Sequence, residues 1–305
     1  MKSTLRIFLL ISSIALLSAC SAIQQLVSPA TQTPTLTLTA TVTNTPLPTL
    51  TPTPPPSAAI VNGIYVWMED LELKKANLSA AYAETAGSQP ADSDLTQEAL
   101  EMLINETLFQ SAAIQNGIEI SEEELDQRIQ AAAESAGGQD AFQQWMAENH
   151  FTNASFRRSL TREVSAAKVR AVIYAEKLAN VDQIHAYQIV TATRAEASTI
   201  KTKLDLGVSF VEMAKTTDKI TGGNLDWVAR GILVYPELED ALFSLQPGSY
   251  TDIIETDIGF HILFAANRST DHELSLQSRQ LLEHRALAEW LEEQKANAEI
   301  SILLP

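Results

Sequence analysis

Cysteine is nearly missing from this chain: its 305 residues contain one, Cys20. An intramolecular disulfide and a cysteine-based zinc site are both excluded. Basic residues are scarce too, 21 Lys and Arg against 38 Asp and Glu, for a formal net charge of −17. A nucleic-acid partner needs a positive face, so none is expected. Beyond the first twenty residues no run is long and apolar enough to span a bilayer. His150, His272 and His284 lack metal-ligand spacing and read as polar surface, and no Ser-His-Asp or Cys-His arrangement has motif support. No metal and no other cofactor is expected.

What is present starts with an export signal. Lys2 and Arg6 form a positive n-region and Ile7 to Leu17 an apolar h-region. Leu17-Ser18-Ala19-Cys20 resembles a bacterial lipobox, in which the peptide is cut before the cysteine and lipid is attached to it. That resemblance implies a signal peptide over 1–20 and a lipid anchor at Cys20. It places the protein at the cell membrane on its extracytoplasmic side, at the cell surface or in a periplasm. Residues 21–57 are rich in Thr and Pro and end in Pro54-Pro55-Pro56. Such chain cannot bury a core and reads as a disordered tether.

The folded part is long enough for about two domains. Ala59 to Val66 frames Asn62-Gly63, a hairpin signal. A helix is predicted from about Met68, and Leu95, Leu100, Leu103, Ile104 and Leu108 recur at helical spacing up to the stop at Asn116-Gly117. Ser121-Glu122-Glu123-Glu124 reads as a capping box before the next helix. Apolar stripes at Phe142, Trp145, Met146 and at Phe156, Leu160, Val164 mark two more, the last running toward Leu178.

After residue 180 the pattern changes. Tyr187 to Thr191 reads as a strand, Arg194 to Leu206 and Phe210 to Lys215 are helical, and Gly222-Gly223 frees the backbone to turn ahead of Leu225 and Trp227, two large groups for a pocket floor. Pro236 to Phe243 is a short helix, Gln246-Pro247-Gly248 a turn, and Gly259 to Phe264 a strand carrying His261 among apolar neighbours. Leu274 to Ala298 is a long charged helix, and Ile300-Ser301-Ile302 alternates like a terminal strand.

The ordered motifs from Ile184 to Arg268 resemble the parvulin, or PpiC, type of peptidyl-prolyl cis/trans isomerase. Upstream, Val61-Asn62-Gly63, Leu103-Ile104, Gly117-Ile118-Glu119-Ile120-Ser121-Glu122-Glu123-Glu124 and Phe156-Arg157 resemble the N-terminal domain of SurA-like and PrsA-like extracytoplasmic foldases. The implied fold class is α+β: a helical SurA-like chaperone domain over 58–180, completed by a C-terminal helix and strand over 271–305, with an inserted parvulin-like domain over 181–270 in which a small antiparallel sheet is flanked by helices.

Parvulins carry two histidines on adjacent strands, a Thr or Ser, an Asp or Cys, and apolar walls. Carried over, the resemblance implies catalytic roles for His261, Thr256, Asp218 and Gln188, the last standing where the first histidine is expected. Gln188 can donate and accept hydrogen bonds and is expected to hold His261 in one tautomer. Leu225, Leu233, Leu238 and Phe260 are the implied substrate-binding residues, with Leu238 in place of the usual phenylalanine. Gly-Gly-Asp-Leu-Gly becomes Gly222-Gly223-Asn224-Leu225-Asp226.

The X-Pro bond isomerises over a barrier of ~18 to 20 kcal/mol, and no bond need be made or broken. Lowering it needs a pocket that holds the ring, desolvates the amide and favours the twisted form. The resemblance thus implies a prolyl isomerase and chaperone acting on unfolded or newly exported polypeptides with X-Pro bonds. The rival is a holdase whose degenerate parvulin domain binds peptides without turnover.

Overall fold

The computed structural model describes residues 56–85 and 90–304. The signal peptide, Cys20 and all of the expected tether except Pro56 and Ser57 lie outside the described residues.

Strands β1 (Ser57–Val61) and β2 (Ile64–Trp67) form an antiparallel hairpin. Asn62 and Gly63 turn it with φ of 50° and 80°, the double positive φ that makes Asn-Gly the favoured pair. Ser57 already pairs with Trp67, so ordered structure begins one residue earlier than the composition change suggested. Five helices follow: α1 (Met68–Thr85), α2 (Asp92–Gln115), α3 (Glu122–Ala136), α4 (Gln139–Glu148) and α5 (Asn153–Lys177). Only half of the expected capping box at α3 is formed. Ser121 Oγ accepts from Glu124 N at 3.1 Å, but the Glu124 carboxylate turns away to Lys168 Nζ at 2.6 Å and Arg128 Nη2 at 3.1 Å. Two cations outcompete one backbone amide, since charge-assisted bonds are the stronger.

The second part of the chain runs β3 (Gln183–Thr191), α6 (Arg194–Asp205), α7 (Phe210–Thr217), β4 (Asn224–Ala229), α8 (Pro236–Ser244), β5 (Ile254–Thr256) and β6 (Gly259–Ser269). Its four strands form an antiparallel sheet in the order β4-β3-β6-β5. Residues alternate between its faces. Ile184, Ala186, Leu263 and Ala265 pack under Leu238, Leu242 and Phe243 of α8. Ile189 and Ile262 face the other way, onto Leu204 of α6 and Phe210 and Ala214 of α7.

Helix α9 (Leu276–Asn297) then returns to the first part, where Trp290 stacks on Phe109 of α2 with centroids 4.6 Å apart. Strand β7 (Ile300–Ile302) pairs with β1 and closes a three-stranded sheet in the order β2-β1-β7. Asn62 joins three distant pieces: its Oδ1 accepts from Glu299 N at 2.9 Å, its N donates to Glu299 O at 2.8 Å, and its Nδ2 donates to Ser111 Oγ at 2.9 Å.

Between α1, α2 and α5 lies a charged cluster that hydrophobic periodicity cannot reveal. Asp70 is 2% exposed and Arg162 7%. Arg162 Nη1 binds Asp70 Oδ2 at 2.7 Å, Arg162 Nε binds Glu106 Oε2 at 3.1 Å, and Arg158 Nη2 binds Asp70 Oδ1 at 2.6 Å. Lys74 closes the cluster on Glu106 at 2.6 Å. Every buried charge has an opposite charge in contact, the condition for tolerating it inside a fold.

Candidate active site

His261 stands on β6 directly opposite Val190 of β3 on one side and Ile254 of β5 on the other. It is 1% exposed and shares the α8 face of the sheet with Leu263. Thr256, the last residue of β5, brings its Oγ1 to 2.8 Å from His261 Nε2. The amide of Ile258 donates to the same hydroxyl oxygen at 3.3 Å, and the hydroxyl has the Gly259 carbonyl at 3.4 Å as a second partner beside the ring. His261 Nδ1 is buried and has no hydrogen-bond partner. Among the described residues the only other such side-chain atom is Asn105 Oδ1 on α2. Burial lowers the His261 pKa below its ordinary value, against an opposing pull from the Glu237 carboxylate, which favours a neutral imidazole at neutral pH.

The sequence expectations meet this geometry unequally. Gln188 lies on the His261 face, opposite Leu263 in register, but forms no hydrogen bond to the ring. The expected tautomer lock is absent because Gln188 sits one pleat away along β3, while Thr256 reaches Nε2 from the neighbouring strand. Gln188 is instead fixed through its backbone, whose N donates to Gly223 O at 2.8 Å. Gly223 has φ of 68°, and a Cβ there would meet Gln188 O at 2.2 Å, so the Gly-Gly turn is required by this close approach.

Leu225, Leu233 and Leu238 gather in one apolar cluster over the α8 face, with Leu238 in its buried interior and the other two partly exposed. Trp227 does not join them. Asp226, at φ of 59°, carries a bulge in which Leu225 is an extra residue between the partners of Ala186 and Tyr187. The bulge shifts the alternation, so Trp227 points to the opposite face, stacked between His185 and His272 at 5.7 and 4.2 Å. The pocket floor expected from Leu225 and Trp227 together is therefore built from Leu225 without Trp227. Phe260 is likewise on the far face, adjacent in the strand to His261 and under the Arg194 guanidinium at 5.4 Å, so it cannot line a pocket beside His261.

Asp218 caps the end of α7 and accepts from Ile220 N at 2.8 Å, Thr221 N at 3.2 Å and Gly223 N at 3.4 Å, and from the Thr221 hydroxyl. The Thr221 hydroxyl and these amides hold its pKa down to about 2. Its visible task is to shape the loop that presents Gly223 to Gln188, and it makes no bond to His261.

Two residues near the site were silent in the sequence. Tyr235, just before α8, donates its hydroxyl to Asp257 Oδ1 at 2.6 Å, tying the start of α8 to the turn that carries Thr256. Glu239 accepts from Gly231 N at 2.9 Å and Leu233 N at 3.1 Å, fixing the segment that presents Leu233. A Tyr before Pro236 at a helix start signals the helix boundary, but nothing local signals a bond across 22 positions.

Comparison with known proteins gives two family matches along the chain. Residues 46–170 match the SurA-like N-terminal domain model, beginning inside the stretch that composition reads as a tether, and residues 182–267 match the PPIC-type PPIase domain model. The foldase protein PrsA 2 of Bacillus anthracis is 28% identical over 199 residues, 61% of this chain and 69% of the relative. The foldase protein PrsA of a Geobacillus strain is 37% identical over 86 residues, 27% of this chain and 31% of the relative. A chaperone SurA of Xanthomonas euvesicatoria is 26% identical over 240 residues, 68% of this chain and 51% of the relative. The chain thus spans about half the length of several of the curated proteins it matches.

Proposed function

We propose, from a chain that joins a SurA-like N-terminal domain to a PPIC-type PPIase domain, that it is a peptidyl-prolyl cis/trans isomerase and chaperone for exported polypeptides. The observation that carries the reading is His261: a buried, neutral imidazole tied to Thr256 through Nε2, with Nδ1 left without a partner beside an apolar wall. An unpaired buried polar atom costs about 1 to 3 kcal/mol, a cost expected where a ligand completes the bond. A prolyl peptide is expected to lie with its ring against Leu225 and Leu233 over the imidazole, which must be uncovered before Nδ1 can bond the substrate amide. Desolvation of the amide weakens the resonance that keeps it planar, and the fixed dipoles of the Thr256–His261 pair favour the twisted form. Gln188 is a backbone-fixed part of the site floor, and Asp218 a positioning residue that acts through the loop at Gly223.

The domain arrangement supports the chaperone half of the reading. We take residues 58–180 and 271–305 as one helical domain, in which α9 packs on α2 and α5 and β7 pairs with β1, with the isomerase domain over 181–270 inserted between them. The test is acceleration of X-Pro isomerisation in short peptides by the full-length chain. His261→Ala is expected to lower kcat/KM at least tenfold with an unchanged circular dichroism spectrum; unchanged activity in the folded variant would remove His261 from the site. No acceleration by the wild type, together with suppressed aggregation of an unfolded client, would leave a holdase.

The location we infer rests on the first twenty residues. Among the described residues no helix is long and apolar enough to cross a membrane. A lipid anchor at Cys20, exposed outside the cytoplasmic membrane, is supported by Leu17-Ser18-Ala19-Cys20. Partition of the expressed protein into a detergent phase should be lost in Cys20→Ala, and equal partition of both proteins would exclude that anchor.

A further inference from the structure

We infer that the His261 site prefers prolines flanked by basic side chains, with Glu237 and Asp257 supplying the attraction. The inference rests on the isomerase reading of His261 and names the substrate class of that site. The Tyr235–Asp257 bond draws the start of α8 against the β5–β6 turn, beside Thr256 and its 2.8 Å contact to His261. Glu237 lies two residues beyond Tyr235 in the first turn of α8, exposed, and its charge is felt at both the His261 ring and the Tyr235 hydroxyl. Among the described residues neither Glu237 nor Asp257 is ion-paired. Their charge stands beside His261, whose burial favours the neutral ring.

Nearby positive charge is engaged or placed elsewhere. Arg194 pairs with Glu255 at 2.9 Å and covers Phe260 on the far face of the sheet. Arg230 lies over Phe243 and against Asp182. Lys219 stands on the loop leading into β4, across β3 from His261. The N-terminus of α8 contributes about half a positive charge. Glu239, bonded to the amides of Gly231 and Leu233, offsets that charge and leaves Glu237 in excess. Val234 and Ile258 flank the Tyr235–Asp257 bond and are 86% and 62% exposed. Two bare aliphatic side chains beside two carboxylates with no cation paired to them match the form of Lys and Arg, an apolar stem ending in a cation.

The test compares peptides Ala-Lys-Pro-Lys-Phe and Ala-Glu-Pro-Glu-Phe on the full-length chain in a neutral detergent, with turnover and binding measured in parallel. Exposed ion pairs change an equilibrium by roughly 1.4 to 5-fold each. Attraction of Lys together with repulsion of Glu therefore gives an expected ratio of about five to ten in kcat/KM at low ionic strength. Screening brings that ratio to about two or below in 1 M salt, where the Debye length is about 3 Å. Glu237→Gln should halve the low-salt ratio, and Glu237→Lys should bring it to one or below. A wild-type ratio of one at low salt, or a ratio that Glu237→Lys leaves unchanged, would overturn the inference. If neither peptide is turned over, the isomerase reading fails separately, and the binding ratio decides the preference by the same criteria.

Discussion

Two buried polar centres distinguish the two halves of this protein. In the helical half, Asp70 and Arg162 are buried, as His261 is, yet each meets opposite charges, Asp70 on both Arg158 and Arg162, Arg162 on Asp70 and Glu106. In the sheet half, His261 is satisfied on one ring nitrogen and unsatisfied on the other. The difference separates two uses of burial. A completed network fixes three helices in one arrangement, because moving any of them uncovers a charge. An incomplete one leaves a hydrogen-bonding position open.

Breaking the completed centre should have the larger effect. Asp70→Ala leaves two arginines facing a cavity, and removal of one partner from a buried ion network costs about 3 to 5 kcal/mol. Thermal unfolding should show this loss in the helical transition, and a loss within 1 kcal/mol would mean that the cluster is solvated. The incomplete centre should respond in the opposite way. His261→Leu removes an unsatisfied group, so its stability at neutral pH should stay within about 1 kcal/mol of wild type while isomerisation is lost. The pH dependence sharpens the contrast. Because burial lowers the native pKa of His261, the unfolded chain binds more protons below pH about 6.5. The stability this contributes is present above that pH and falls as the pH drops toward the native pKa. Urea titrations from pH 7.5 to 5 should show that decline, shallower in His261→Leu; identical slopes would place the histidine in contact with solvent.

How much of this was legible in the sequence depended on the range of the interaction. Asn62-Gly63 announced its turn because two positive φ angles are a local demand, and Gly222-Gly223 did so for the same reason. The helices of the first half were readable from apolar spacing, and β3 and β6 were recognised but run longer than their strongest residues, to Gln183–Thr191 and Gly259–Ser269. What failed was parity. A single bulged residue at Asp226 turned Trp227 away from Leu225, and strict alternation placed Phe260 behind the sheet once His261 was in front. Pairings across long separations were invisible: Asp70 and Arg162 lie 92 positions apart, and neither is marked by a motif. Thr256 was identified through family resemblance rather than spacing, and the structure puts its hydroxyl on the imidazole.

The strand that ends the chain has a consequence for the order of assembly. Asn62 at the hairpin turn is bonded to Glu299, 237 positions later, and β7 is the third strand of the sheet that the hairpin begins. Polypeptide made from its N-terminus must therefore hold β1 with one edge bare until Ile300–Ile302 emerge. The sheet domain, contiguous in sequence, has no such wait. The helical body thus stays unfinished while the sheet domain, which lies between its two segments, can already be folded.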